Sequence, residues 1–365
     1  MSRARFTPWA ALLLAPLGAG ACSTDFEAQS KVLGLRALAL RSEPASGTPG
    51  ANVKVRLLAA DGGTKPNAPS RRLEIVWIGG CHNPPTRQFY ACYPLLSLVA
   101  SASESKLLST PPSRFPAGIF KTAAFTLDDP GASDFDFTLP FDILTAAPRA
   151  SADPIHFGVS YAFFALCAGE LRTNPTLTDR PPFECIDPNT SEKLGYRDFI
   201  TGFSTLYTYE GVENHSPTIN GVSFKGLDLS ALGACTSDAD CKASVDAAGD
   251  LDATCGPALT CIPRVRACKK GDCPTYLIEP HVERDSAEAL PEGGSEVVWA
   301  NFYATSGSFD VDTQLISDRN VGWLGDRGAY FKPTNQPGEL VSLWLTLNDQ
   351  RGGATWRSFQ VRVGD

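Results

Sequence analysis

Strict alternation of apolar and polar residues is the commonest pattern in this chain. Val53, Val55, Leu57 and Ala59 take turns with Asn52, Lys54, Arg56 and Leu58, the period of two that sets one face of a strand on a core and turns the other to water. A preceding strand is predicted over Lys31 to Arg41, ending in the turn-rich stretch Ser42 to Gly50. Leu73, Ile75 and Trp77 carry the alternation up to Gly79-Gly80-Cys81, and later strands are predicted over Ile119 to Leu127, Phe135 to Leu139, His156 to Ala168 and Asp198 to Tyr209. Helical spacing is confined to two short turns, Glu104 to Ser109 and Asp142 to Ala147.

A second run of strands opens at Ser216-Pro217-Thr218-Ile219-Asn220-Gly221-Val222 and continues at Thr275 to Glu283, Glu296 to Ala304, Ala329 to Lys332, Leu340 to Leu347 and Thr355 to Val363. The last two flank Asp349-Gln350-Arg351-Gly352-Gly353, so a hairpin is predicted to close the chain. Glu74-Ile75-Val76-Trp77 recurs as Glu296-Val297-Val298-Trp299, which predicts a repeated unit with each tryptophan buried on a central strand. With 365 residues, more than one small core usually organises, two domains are expected, at 31–211 and 212–365. The 28 prolines and 32 glycines, about one residue in six, fit turn-rich β structure rather than disorder.

The first 22 residues break from this pattern. Arg3 and Arg5 precede an apolar run from Phe6 to Ala21, and Ala19-Gly20-Ala21 leads into Cys22. A basic start, a short apolar stretch and small residues before a cysteine make an export signal cleaved ahead of Cys22, which becomes an acylated N-terminus. Residues 1–21 are then the signal peptide and 22–30 a polar tether, and Ser23 in place of Asp resembles the sorting pattern for the outer membrane. Several acyl chains anchor where one gives only marginal binding, so the partner expected first is a membrane. Removal of residues 1–21 leaves 30 basic against 40 acidic side chains, a formal charge of −10, which makes nucleic acid an unsuitable partner.

Cysteine usage agrees with export. Beyond Cys22 there are ten: Cys81, Cys92, Cys167, Cys185, Cys235, Cys241, Cys255, Cys261, Cys268 and Cys273. An even number in an exported chain points to disulfides. Cys81 with Cys92 and Cys167 with Cys185 are the sequence-local pairs; the last six allow fifteen pairings, among which sequence does not choose. Zinc is the alternative for those six, but they contain no C-x2-C and no histidine lies between Cys235 and Cys273.

These features together resemble bacterial surface lipoproteins that carry immunoglobulin-like or PKD-like modules behind a short tether. The resemblance rests on the signal ending at Cys22, the opening Val32 to Ala39, Trp77 to Pro85 with Tyr90-Ala91-Cys92, and Leu166-Cys167-Ala168-Gly169. It implies an all-β chain of two immunoglobulin-like β-sandwich domains. The segment 234–274 looks like the small cysteine-rich knots inserted in extracellular proteins, since it has too few large apolar residues for a core of its own.

Catalytic signatures are missing: there is no G-x-S-x-G, no H-E-x-x-H and no phosphate loop, and His82, His156, His215 and His281 are at least 59 residues apart. Two weaker sites remain. Asp128, Asp129, Asp134 and Asp136 crowd one turn and are the candidate ligands for a structural calcium ion; no other cofactor is expected. Trp344 and Trp356 are candidates for stacking sugar rings, against a reading in which they pack in a core or a domain contact. The function expected is non-enzymatic: a membrane-anchored envelope component that binds or adheres to protein or glycan, with a carbohydrate-binding module and an exported hydrolase as alternatives.

Overall fold

The computed structural model describes residues 27–64, 69–94, 96, 118–149, 155–174, 176–177, 180–242, 252–325 and 327–364. The signal, Cys22 and the turn predicted at Glu104 to Ser109 lie outside these residues. The chain is all-β, built as two successive sandwiches.

The first contains β1 (Leu35–Glu43), β2 (Asn52–Asp61), β3 (Leu73–His82), β4 (Phe120–Phe125), β5 (Phe135–Thr138), β6 (Phe157–Cys167), β7 (Glu170–Thr173), β8 (Phe183–Ile186) and β9 (Phe199–Tyr209). A β1-β2-β5 sheet packs on a β4-β3-β6-β9 sheet, and β7-β8 forms a separate hairpin. Alternation decides what lies between the sheets: Val53, Val55 and Leu57 meet Leu73, Ile75, Trp77, Phe164 and Leu166. Trp77 is fully buried, stacks on Phe135 with ring centroids 5.5 Å apart, and donates from Nε1 to the Ser133 carbonyl at 2.8 Å. Gly79 makes room for this cluster, because a Cβ there would fall 2.1 Å from the Phe137 ring.

The other face of the four-stranded sheet is buried as well. Val76, Ile78, Val159, Tyr161, Phe163 and Ala165 lie under Phe89, Cys92 and Leu96 on one side and Leu171, Phe183 and Cys185 on the other. Burial on both faces is why β6 reads FGVSYAFFALC, an unbroken run instead of an alternation. The Cys81–Cys92 and Cys167–Cys185 disulfides, the two sequence-local pairs, tie these covering pieces to β3 and β6.

The second sandwich contains β10 (Ile219–Phe224), β11 (Leu227–Asp228), β12 (Asp252–Cys255), β13 (Cys261–Arg266), β14 (Tyr276–Val282), β15 (Val298–Ala304), β16 (Ser308–Phe309), β17 (Thr313–Asp318), β18 (Gly322–Trp323), β19 (Ala329–Lys332), β20 (Leu340–Asp349) and β21 (Ala354–Gly364). Its sheets run β11-β10-β14-β19-β16 and β12-β13-β21-β20-β15-β17-β18. The predicted closing hairpin is present, with Val341 opposite Val361 and Leu343 opposite Phe359, so these residues share one inward face.

Cross-links join Cys235 to Cys255, Cys241 to Cys261 and Cys268 to Cys273. The first two staple a loop and the short helix Asp238–Lys242 onto the β12-β13 hairpin, where Cys255 and Cys261 are cross-strand partners. Asp240 accepts from the Thr236 and Ser237 amides at 2.8 and 2.9 Å, and Asp238 from the Thr254 hydroxyl at 2.7 Å and the Cys255 amide at 2.9 Å, which lowers both carboxyls below the ordinary range. The segment is not a detached knot, however. Strand β13 runs parallel to β21 and adds Val265 to the sandwich core, so the cross-linked hairpin extends the main sheet.

The two sandwiches meet near the start of the first. The Val32 amide donates to the Ala304 carbonyl at 2.9 Å and the Ala304 amide to the Ser30 carbonyl at 2.8 Å. Val32, Leu38 and Ala60 pack with Tyr303, with Leu58 and Trp344 beside them.

Candidate functional site: the junction between the sandwiches

Strand register explains which aromatics face the junction. In β15, Val298, Ala300 and Phe302 point into the second core, which turns Trp299, Asn301 and Tyr303 outward. Trp344 lies opposite Tyr303 and Ser358, and Trp356 opposite Thr346, so Tyr303, Trp344 and Trp356 occupy one outward face. That face is where the first sandwich docks. Trp344 is half-buried against Tyr303, Leu58 and their neighbours, the domain-contact arrangement, and Trp356 is half-buried on the same face.

The repeated tetrapeptides therefore part company. Trp77 is a core residue of a central strand, as expected, whereas Trp299 is half-buried and faces away from its core. What the two copies share is the glutamate. Glu74 is 3% exposed and accepts from the Leu171 amide at 2.9 Å; Glu296 is fully buried.

Glu296 belongs to a buried charge cluster that sequence reading passed over. Arg351 donates from Nε to Glu296 Oε1 at 2.7 Å, from Nη2 to Glu296 Oε2 at 3.1 Å, and also to Glu288. Its Nη1 reaches the Glu213 carbonyl at 3.3 Å in the segment between the sandwiches, and its guanidinium lies 5.9 Å from the Tyr209 ring centre of the first. Asp349 Oδ1 accepts from the Arg351 and Gly353 amides at 2.8 and 2.7 Å, while its Oδ2 accepts from Asn214 at 3.3 Å. Asn214 in turn donates its amide to Ser46 of the first sandwich at 2.8 Å. His215 sits 2.7 Å from Glu288.

Two carboxylates, Glu296 and Glu288, share one guanidinium here with a third, Asp349, held on the backbone beside it, and their ionisation responds. Burial pushes Glu296 up to about 7, with Asp349 and Glu288 adding to the rise and Arg351 opposing it. Burial likewise raises Asp349 and the Tyr209 phenol, while Arg351 is held charged by Glu296 and Glu288 against its own burial. A signal for this was present in the sequence. Glu296 extends the inward series Val298, Ala300, Phe302, and Asp349 extends Val341, Leu343, Leu345, Leu347, so parity alone places both carboxylates inside.

Beside this cluster lies a cleft of about 250 Å³, walled by β9 of the first sandwich and by Trp299 and the 348–354 hairpin of the second.

The proposed calcium ligands are arranged differently. Asp134 meets Arg56 at 3.3 Å and Asp136 meets Lys54 at 3.9 Å, each opposite a cation of β2, and Asp128 and Asp129 are exposed in the preceding turn. Among the described residues, the one group of three or more potential ligands that converges is Cys235, Cys241 and Cys261, whose sulfurs are committed to disulfides. The histidines are scattered: His82 lies by Asp142, His156 by the Ala147 carbonyl, His215 by Glu288, and His281 pairs with Gly221 in the β10-β14 ladder.

No family model and no curated protein matches the chain. Solved structures similar to it include dimeric latent PorU from Porphyromonas gingivalis, at 10% identity over 91% of this chain and 24% of that one, TM-score 0.19. Escherichia coli alpha-2-macroglobulin activated by porcine elastase follows at 11% identity over 93% and 22%, TM-score 0.18. The C-terminal domain of the Streptococcus pyogenes antigen I/II-family protein AspA aligns at 9% identity over 91% and 100%, TM-score 0.16. The chain spans less than a quarter of the first two, and likeness this slight carries no argument about fold or function.

Proposed function

We propose that this protein is a membrane-tethered lipoprotein of the cell envelope, a non-enzymatic component that acts by binding or by structural contact at the surface. The observation that carries the reading is the set of five disulfides spread over both sandwiches. Such bonds persist in oxidising compartments and are rare in the cytosol. The export signal and Cys22 supply the matching address, and Ser23 favours the outer membrane.

Only four residues separate Cys22 from Glu27, five steps that reach at most ~18 Å when extended. The tether then enters the junction, where Ser30 and Val32 pair with Ala304 of the second sandwich. Acyl chains on Cys22 thus hold the body at the bilayer by its middle, and the cross-links resist proteolysis.

Mass spectrometry of the native protein from a membrane fraction tests this. The N-terminal peptide is expected to begin at diacylglyceryl-modified, N-acylated Cys22, with the other ten cysteines paired. An intact Met1, an unmodified Cys22 or free thiols over 235–273 would overturn it.

A further inference from the structure

We infer that the cleft at the junction binds a single neutral sugar ring, the terminal unit of a surface glycan. The inference names a ligand class for the binding role proposed above and rests on that role, but not on acylation. Both sandwiches contribute to the cleft: Phe203 and Tyr207 on β9, Trp299 on β15, and Asn348 and Gln350 beside the closing turn.

The chemistry of the walls selects the ligand. A pyranose has an apolar face of C–H bonds and a rim of hydroxyls, and it needs an aromatic plane together with groups that both donate and accept. Trp299 is half-buried, neither committed to a core nor fully exposed, while Tyr207, stacked on Tyr209 and packed against the outer cluster of the first sandwich, closes the wall beside it. The Asn348 and Gln350 amides each offer a donor and an acceptor, and Thr205 adds a hydroxyl from the opposite wall, Ser204 being buried on the inner face of β9 with Leu206. Strand β9 is the edge of its sheet; the Tyr207 carbonyl accepts from the Gly47 amide, and the Thr205 carbonyl faces the Gly352 turn. The lining carries a single charge, the Asp349 carboxylate, and no Lys or Arg, which argues against a phosphate or carboxylate ligand. At about 250 Å³ the space falls just below drug-sized pockets of about 300–1,000 Å³ and suits one ring.

The rim is also fixed in advance. Asp349 holds the turn by accepting from the Arg351 and Gly353 amides, and Arg351 fixes it to Glu296 beneath. Gly352 has φ +95°, a conformation that disfavours other residues, and a Cβ there would reach 3.5 Å from the Tyr207 ring. Glycine lets the turn approach Tyr207 without a side chain filling the mouth. The site thus differs from the one expected at Trp344, whose indole is occupied by the sandwich contact.

The test titrates glucose, galactose, mannose, N-acetylglucosamine and their β-linked oligomers into the full mature chain, read by saturation-transfer NMR and tryptophan fluorescence. At least one sugar is expected to saturate with Kd below about 10 mM. Trp299→Ala should weaken it at least tenfold and Gln350→Ala about three- to tenfold, while Tyr330→Ala, an exposed aromatic on the other sheet of the second sandwich, leaves it unchanged. Circular dichroism confirms folding, and Gln350→Ala decides the matter if Trp299→Ala does not fold. No saturation by any sugar of the panel, or undiminished binding by the folded variants, overturns the inference. The titration needs no lipid, so it fails or succeeds independently of the Cys22 peptide mass.

Discussion

The two sandwiches bury the faces of their main sheets by different means. The first covers both faces of β4-β3-β6-β9 with its own chain: the β1-β2-β5 sheet on one side, and two cross-linked pieces on the other. The second fills one face of its seven-stranded sheet with its own core and turns the other toward the first sandwich. The same tetrapeptide pattern consequently serves two ends. Trp77 is interior, while Trp299 stays half-buried at a cleft, and the nearby charges Glu296, Arg351 and Asp349 are buried where the sandwiches join. The role of an aromatic in a strand is set by what covers its face, and the strand itself does not encode that.

The largest expected effect separates the two tryptophans. Trp77→Ala should cost about 3–5 kcal/mol by leaving a cavity under the Ser133 carbonyl it now bonds. Trp299→Ala, half-exposed already, should cost about 1 kcal/mol. Urea unfolding of both variants checks the difference, and equal losses would erase the distinction drawn here. Next comes the cross-linked cover. Opening Cys167–Cys185, which closes 18 residues, should lower stability by about 3 kcal/mol, against about 2 kcal/mol for Cys268–Cys273, which closes 5. Thermal melts of the paired Cys→Ser variants give the order.

A pH dependence of similar size follows. Glu296 ionises near 7 in the native chain, above the ordinary 4.5, because it is buried beside other carboxylates. Between those values the folded state keeps a proton that the unfolded state has lost, so stability falls as pH rises from about 4.5 to 7 and levels off above. The change should be of order 3 kcal/mol. Glu296→Gln should flatten this part of the profile, as measured by denaturant midpoints at pH 5 and pH 8; an unchanged slope would place the titration elsewhere.

Much of the fold was legible because half-buried strands display their period: β2, β20 and β21 fall almost where alternation puts them. Strands such as β11, β16 and β18, two residues each, are too short to show any period. The local disulfides were legible from proximity, whereas the crossing Cys235–Cys255 and Cys241–Cys261 pairs depend on where the helix sits over its hairpin. The junction was half legible. Parity places Glu296 and Asp349 inside, but Arg351 lies in a turn, and nothing local shows that it reaches Glu213 and Tyr209. Trp344's outward direction was likewise readable; the β1-β2 residues that cover it come from the far end of the chain.

That the two sandwiches act as one body is the claim on which the cleft and the tethered mechanism both depend. Calorimetry of the mature chain tests it directly, beside the Arg351→Ala variant, which leaves Glu296 and Asp349 buried without their cation. One transition is predicted for the native chain, with calorimetric and van't Hoff enthalpies equal, and two resolved transitions for the variant. Two independent transitions in the native chain, or a variant that still melts as one unit at the native temperature, would contradict it.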